Sequence, residues 1–551
     1  MKKDLIKYLY ELDRELEIYN FLDTDGSLVE SLTVRQLIIE VEGFAKTLHQ
    51  FPVGSRALLI FPTCKSFVVA FYACIHAGII PAPVSVPGKR NGIDNIESIY
   101  RDCDAGLIVF DRDSFLRVSD EFYSSSLRVE RVIFYDQKET DISFDSVVRR
   151  KSASEIAFLQ YTSGSTSSPK GVIVTHKNVA ANMEMAHKRF GTTSSSIFLA
   201  WTPLHHDMGL VGNLMHPIYI GCKCYLIAPV TLLMRPKVWL SVLSDYAITI
   251  TGGPNFSYKH ILERVSPETL QEMNLDLSRL EVLYNGAEPI EVEVMDDFMV
   301  LFEQCGLRET AFLPCYGLAE ATLILSGINF DENYRSQKIS IDEGDGKSVS
   351  FEKDLEGKVM SSCGPAVSGV ELRIRSQLTR EVLSSNMVGV IEAKGDNISE
   401  GYWGKPKRDS LWLDTGDLGF LDDCGDLYVC GRMKDVIIFD GRNIYPQDIE
   451  IDAELAELVL AVSGFGAFGI DDEVYLVVEM SRGALRQVCK ESAGKLKKSI
   501  TREISLRHGV GLKDIRLVRP GSIPKTTSFK IQRQKLKQLY QSNKLNEVIF
   551  S

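Results

Sequence analysis

The sequence predicts an α/β protein: a large N-terminal domain of doubly wound sheets plus a β-rich subdomain, followed by a small α+β C-terminal domain. Three observations predict it. Strand-type apolar runs alternate with amphipathic helical spacing over the first 300 residues, the pattern of largely parallel sheets buried on both faces. Short alternating segments, 370–375 and 389–393, follow residue 364. Beyond them, the charge balance of the chain changes sign.

Taken in order, strands are expected at 57–61, 107–110, 131–135, 223–228 and 247–251, with helices over 33–51 and 177–190 between them. Residues 66–86 lack Asp, Glu, Lys and Arg over a membrane-spanning length. Gly78, Pro81 and Pro83 break that stretch, so it reads as a buried helix, a turn and a strand, with no transmembrane segment. Residues 336–357 turn polar and read as a surface insertion or long loop. The glycine at 431, between strand-like runs 426–430 and 436–439, marks the boundary between an N-terminal domain (1–431) and a C-terminal domain (432–551).

Of the 551 residues 25% are charged and 44% hydrophobic, which excludes disordered, collagen-like and coiled-coil classes. The length suits about three or four compact units. Eleven cysteines, with no CxxC pair, imply neither a disulfide framework nor a zinc site. The charged N-terminus has no signal-peptide pattern, and the expected location is cytoplasmic. Net charge is −12, yet residues 482–537 hold 16 Lys and Arg against three acids. A basic tail of this kind suits nucleic acid, phosphorylated ligands or an acidic protein, or is simply a solvated helical face.

Five clusters carry chemistry. Residues 161–174 (YTSGSTSSPKGVIV) place small hydroxylated residues around Gly164 and a cation at Lys170, a composition that cradles phosphate. It is not a Walker loop, which needs Gly before Lys and a helix after it. Residues 285–289 (NGAEP) form a glycine turn at a strand's C-terminal end, where α/β sheets bind ligands. Residues 315–321 (CYGLAEA) join an aromatic face to a carboxylate able to hold Mg²⁺. Residues 415–419 (TGDLG) put an acid in a tight turn, and residues 524–533 (PKTTSFKIQR) form a lysine-bearing loop in the basic tail.

In this order, over residues 10–540, the clusters resemble the acyl-adenylate-forming superfamily, and most closely its fatty acyl-AMP ligases. The resemblance implies that a fatty acid carboxylate attacks the α-phosphate of ATP bound with Mg²⁺, giving acyl-adenylate and pyrophosphate. Thr162, Ser163, Gly164, Ser165, Thr166 and Lys170 then match the loop holding pyrophosphate. Gly286, Ala287 and Glu288 match the adenine-side turn, Tyr316 with Gly317 the ring stacked on adenine, and Glu320 the metal carboxylate. Asp417 and Arg432 match the ribose contacts, Lys434 the hinge of a mobile C-terminal domain, and Lys530 the catalytic lysine that it carries. His206 matches a residue near the substrate carboxylate.

Such ligases carry an insertion where residues 336–357 fall, and transfer the acyl group to the phosphopantetheine thiol of an acyl carrier protein. The basic tail then reads as a docking surface for that acidic partner, with no role for nucleic acid. One departure stands out: Phe529 precedes Lys530 where the family has Gly, and phenylalanine resists conformations glycine permits. The alternatives are a fatty acyl-CoA synthetase, a peptide-synthetase adenylation protein and a catalytically impaired adenylate-binding protein. The absence of GxSxG disfavours a serine hydrolase.

Overall fold

The structure, a computed structural model, describes residues 4–87, 93–127, 131–135, 154–162, 169–342, 348–351, 357–440, 442–456, 462–486, 489–526 and 530–548. The stretch 66–86 folds as its punctuation predicts. Helix Lys65–Ala77 ends on Gly78, whose φ of +74° is the left-handed C-cap that favours glycine. The strand Ile80–Val84 then pairs parallel with Arg56–Ile60. Pro81 and Pro83 are tolerated there because this strand is the edge of its sheet, and the missing N–H groups break no ladder. That sheet continues through Leu107–Phe110 and Val132–Phe134, all parallel.

Among the described residues the largest sheet has eight strands. Its order is Ile324–Gly327, Phe312–Gly317, Val282–Asn285, Ile250–Gly253, Ile197–Ala200, Lys223–Leu226, Glu17–Leu22 and Leu28–Thr33. The inner pairs are parallel and the two outermost pairs antiparallel. Ala200, Gly253, Asn285 and Gly317 therefore end neighbouring strands at one edge, where open α/β sheets bind ligands. Helix His176–Phe190 begins with a reciprocal Thr175–Asn178 capping box and ends on Gly191 at φ +60°.

Two expectations are corrected. The strand expected at 247–251 lies at Ile250–Gly253, because Ala247 occupies a left-handed turn (φ +49°) before it. Residues 336–357 are not simply a loop. Strands Ser336–Ile341 and Val349–Ser350 join Lys358–Ser361 in an antiparallel sheet. Ile339 and Val349 bury against Val390, Leu418 and Phe420 of the next subdomain, which supplies the missing apolar partners.

That subdomain is the antiparallel sheet Val370–Arg375, Gly389–Gly395, Leu413–Leu421 and Leu427–Arg432. After it, Val462–Ile470, Glu473–Met480 and Leu512–Val518 form a three-stranded mixed sheet. Helices Pro446–Glu454 and Lys490–His508 share a separate core with it, built on Ile449, Leu476, Leu496 and Ile500. Charged and polar contacts tie this unit to the rest of the chain. Lys358 of the inserted sheet pairs with Asp448, Lys259 bridges Glu454 and Glu291, and Gln447 donates to the Cys430 carbonyl.

Candidate active site

The strand ends are crowded by necessity. A Cβ at Gly317 would lie 1.7 Å from the Leu323 carbonyl oxygen, and one at Gly286 2.7 Å from the Cys315 oxygen. Beside them Ala287 (φ +71°) and Thr322 (φ +67°) hold left-handed conformations that cost non-glycine residues about 1–3 kcal/mol. Such strain persists only where packing over-determines it.

On this frame the acids and bases converge. Asp417 and Arg432 face each other across antiparallel strands, with Arg432 Nε 3.1 Å from the Asp417 carboxylate. The Tyr316 hydroxyl donates to the other Asp417 oxygen at 2.7 Å. Burial raises the Asp417 pKa and Arg432 opposes that rise. Glu288 accepts the Phe256 N–H at 2.5 Å, yet its burial pushes its pKa up to about 7. Glu320 accepts the Tyr402 hydroxyl at 2.7 Å. Lys170 stands over the Tyr402 ring at 5.4 Å, so Tyr402 links the Glu320 carboxylate to the Lys170 cation.

Lys530 enters from the C-terminal unit. Its backbone is fixed by Thr526, which donates its N–H to the Lys530 carbonyl (2.8 Å) and accepts the Lys530 N–H on Oγ1 (3.1 Å). Enclosure lowers the ammonium pKa, and the charges of Asp207, Glu288 and Asp417 raise it again. His206 is held neutral by burial, with His205 and Lys530 adding to the depression. The two imidazole rings lie 4.4 Å apart.

The structure thus brings Lys530, His206, Glu288, Tyr316, Asp417 and Arg432 to one edge, with Glu320 and Lys170 alongside. Thr162 pairs with Lys170 across two antiparallel strands. Ser163, Gly164, Ser165, Thr166 and Phe529 lie outside the described residues. Lys434 is exposed, and its carbonyl accepts the Gln534 amide at 3.4 Å.

Three features escaped sequence reasoning. Asp207 faces Lys530, and its place beside His205 and His206 was the available signal. Tyr402 carried no signal at all. Residues Met208–Met215 form a π-helix, a rare form concentrated at functional sites. Asp207 accepts the Met208 N–H at its start (2.8 Å). The π-helix lines a largely apolar pocket that opens beside Asp207, Tyr316 and Gly317 and runs towards Phe198, Ile250 and His216.

A glycine-rich strand edge bearing a carboxylate–tyrosine–arginine cluster, met by a lysine from a separate C-terminal unit, defines an adenylate-forming fold. The chain belongs to the AMP-binding enzyme family, whose model matches residues 19–403. Enzymes of this class use ATP. The chain is 34% identical to the medium-chain-fatty-acid–acyl-carrier-protein ligase JamA of Moorena producens, over 96% of this chain and 93% of that one. It is 31% identical to the long-chain-fatty-acid–AMP ligase FadD26 of Mycobacterium marinum, over 96% and 95%. A solved structure from studies of fatty acyl-adenylate ligases of E. coli and L. pneumophila superposes with a TM-score of 0.88, at 31% identity over 98% of both chains. No helix among the described residues is long and apolar enough to cross a membrane.

Proposed function

We propose that this protein activates a fatty acid with ATP, forming acyl-adenylate and pyrophosphate, and then transfers the acyl group to the phosphopantetheine thiol of an acyl carrier protein. The observation carrying this reading is the position of Lys530. It stands amid Asp207, Glu288 and Asp417, and Asp207 also lines an apolar pocket suited to an acyl chain.

The chemistry brings one anion against another. A cation is required where negative charge accumulates between the carboxylate and the α-phosphate, and Lys530 supplies it. Lys170 and the hydroxylated loop beside it hold the leaving pyrophosphate. Tyr316 packs against adenine, while Asp417, held by Arg432, grips the ribose hydroxyls. His206, kept neutral, orients the substrate carboxylate without adding a competing charge.

Mg²⁺ fits this donor set as a nucleotide-borne ion. Among the described residues no group of three potential ligands could hold a metal alone, whereas one carboxylate, Glu320, stands beside the phosphate side of the site. Magnesium bound there with ATP neutralises phosphate charge.

In this reading residues 432–551 form the mobile domain and Lys434 its hinge. The pairing of Lys358 with Asp448 ties the strand on which the inserted strands pair to that domain and favours a carrier-bound thiol over free CoA. The basic helix Lys490–His508 gives an acidic carrier a complementary face. Fatty-acid-dependent exchange of labelled pyrophosphate into ATP tests the first step. Exchange that requires fatty acid supports the reading, and exchange with amino acids alone refutes it.

A further inference from the structure

Phe198, Ile250 and His216 line the pocket away from its reactive edge. Ile250 pairs with Phe198 across two parallel strands, three residues before Gly253 at the strand's end. At about 3.3 Å per residue, these two side chains lie ~10 Å below the reactive edge. Beside Phe198 stands His216, 2% exposed, its ring centroid 5.6 Å from that of Phe198. The π-helix delivers it: the His216 N–H bonds to the Val211 carbonyl, five residues back, and the following turn begins there.

The ring is anchored from behind. Its Nε2 lies 3.1 Å from Thr192 Oγ1, and the same hydroxyl lies 3.1 Å from His187 Nδ1. One hydroxyl joining two imidazoles donates to one and accepts from the other, which fixes the tilt of the His216 ring. Burial lowers its pKa to about 3, so the imidazole stays neutral in the lining of the largely apolar pocket. Displacing it would break a buried hydrogen bond as well as ring packing.

We propose that His216 is the chain-length stop of the acyl pocket, limiting the substrate to a medium-chain acid. This rests on the fatty-acid reading above. An extended chain with C–C bonds of about 1.52 Å advances ~1.25 Å per methylene, so ~10 Å takes about eight methylenes before the terminal methyl meets the imidazole.

The test is pyrophosphate exchange with octanoate, decanoate, dodecanoate, tetradecanoate and hexadecanoate, using the full chain, H216A and I250F. Each further buried methylene contributes about fourfold in kcat/KM. H216A is expected to move the optimum at least two methylenes longer, raising the preference for the longer acid by about sixteenfold. I250F, which fills the same part of the pocket, is expected to move it shorter, and serves if H216A does not fold. A length profile unchanged in the folded variants overturns the inference alone. A native optimum at hexadecanoate also overturns it. Exchange with none of these acids removes both the fatty-acid reading and this inference.

Discussion

Asp417 and Arg432 are directly opposed across antiparallel strands, and the same carboxylate accepts the Tyr316 hydroxyl. The arrangement holds a largely buried anion by one cation and one phenol. D417N keeps the shape and loses the charge. Hydrogen bonds to charged groups contribute about 1.5–3 kcal/mol, so the KM for ATP should rise roughly 10- to 100-fold with little change in melting temperature. Initial-rate kinetics with varied ATP check this.

Removal of the Lys530 ammonium should strike the chemical step. K530A is expected to lower the rate of acyl-adenylate formation about 10²- to 10³-fold, the scale of losing one preorganised electrostatic contact. Single-turnover measurement at saturating ATP and fatty acid isolates that step. Full activity would remove Lys530 from the chemistry.

Glu288 gives stability a pH dependence. Its folded pKa, raised to about 7 by burial, exceeds that of an exposed glutamate near 4.3. The folded state therefore holds more protons between these values, and stability falls as pH rises from about 4.3 to 7. E288Q removes that loss. Denaturant titrations should show the variant gaining about 1–3 kcal/mol relative to the native chain at pH 8, and no such gain at pH 4.

The C-terminal unit is pinned at two charged points, Lys358–Asp448 and Lys259–Glu454. Breaking both in K259A/K358A should speed hydrogen exchange in helix Pro446–Glu454 while leaving the eight-stranded sheet unchanged. Exchange mass spectrometry reads both regions at once.

The Gly317 site admits no side chain. G317A would force a methyl to 1.7 Å from the Leu323 carbonyl oxygen, beyond what a flexible side chain could relieve. A loss of about 3 kcal/mol or more is expected, measured by urea unfolding.

Much of this was legible in the sequence, and the failures have physical reasons. Gly78 with Pro81 and Pro83 punctuates a stretch whose hydropathy alone would admit a membrane span. The strand Ile250–Gly253 was misplaced by three residues because half of it is glycine, poor in strand propensity. Packing demands those glycines: a Cβ at Gly252 would lie 2.3 Å from the Tyr284 carbonyl oxygen, and one at Gly253 2.3 Å from the Trp201 ring. The inserted strands were hidden because Ile339 and Val349 are isolated apolar residues in polar surroundings, buried only by a sheet elsewhere in the chain. Ordered motifs named the charged residues that the structure brings together. They could not reveal Tyr402, whose contacts with Glu320 and Lys170 reach back 82 and 232 residues along the chain.

The central claim is acyl transfer to a carrier protein, and a paired assay tests it most directly. Purified protein with ATP, Mg²⁺ and a medium-chain fatty acid is offered CoA in one vessel and a phosphopantetheinylated acyl carrier protein in the other. Acyl-carrier thioester with little acyl-CoA is the expected result. Efficient acyl-CoA formation with no loading of the carrier would contradict it.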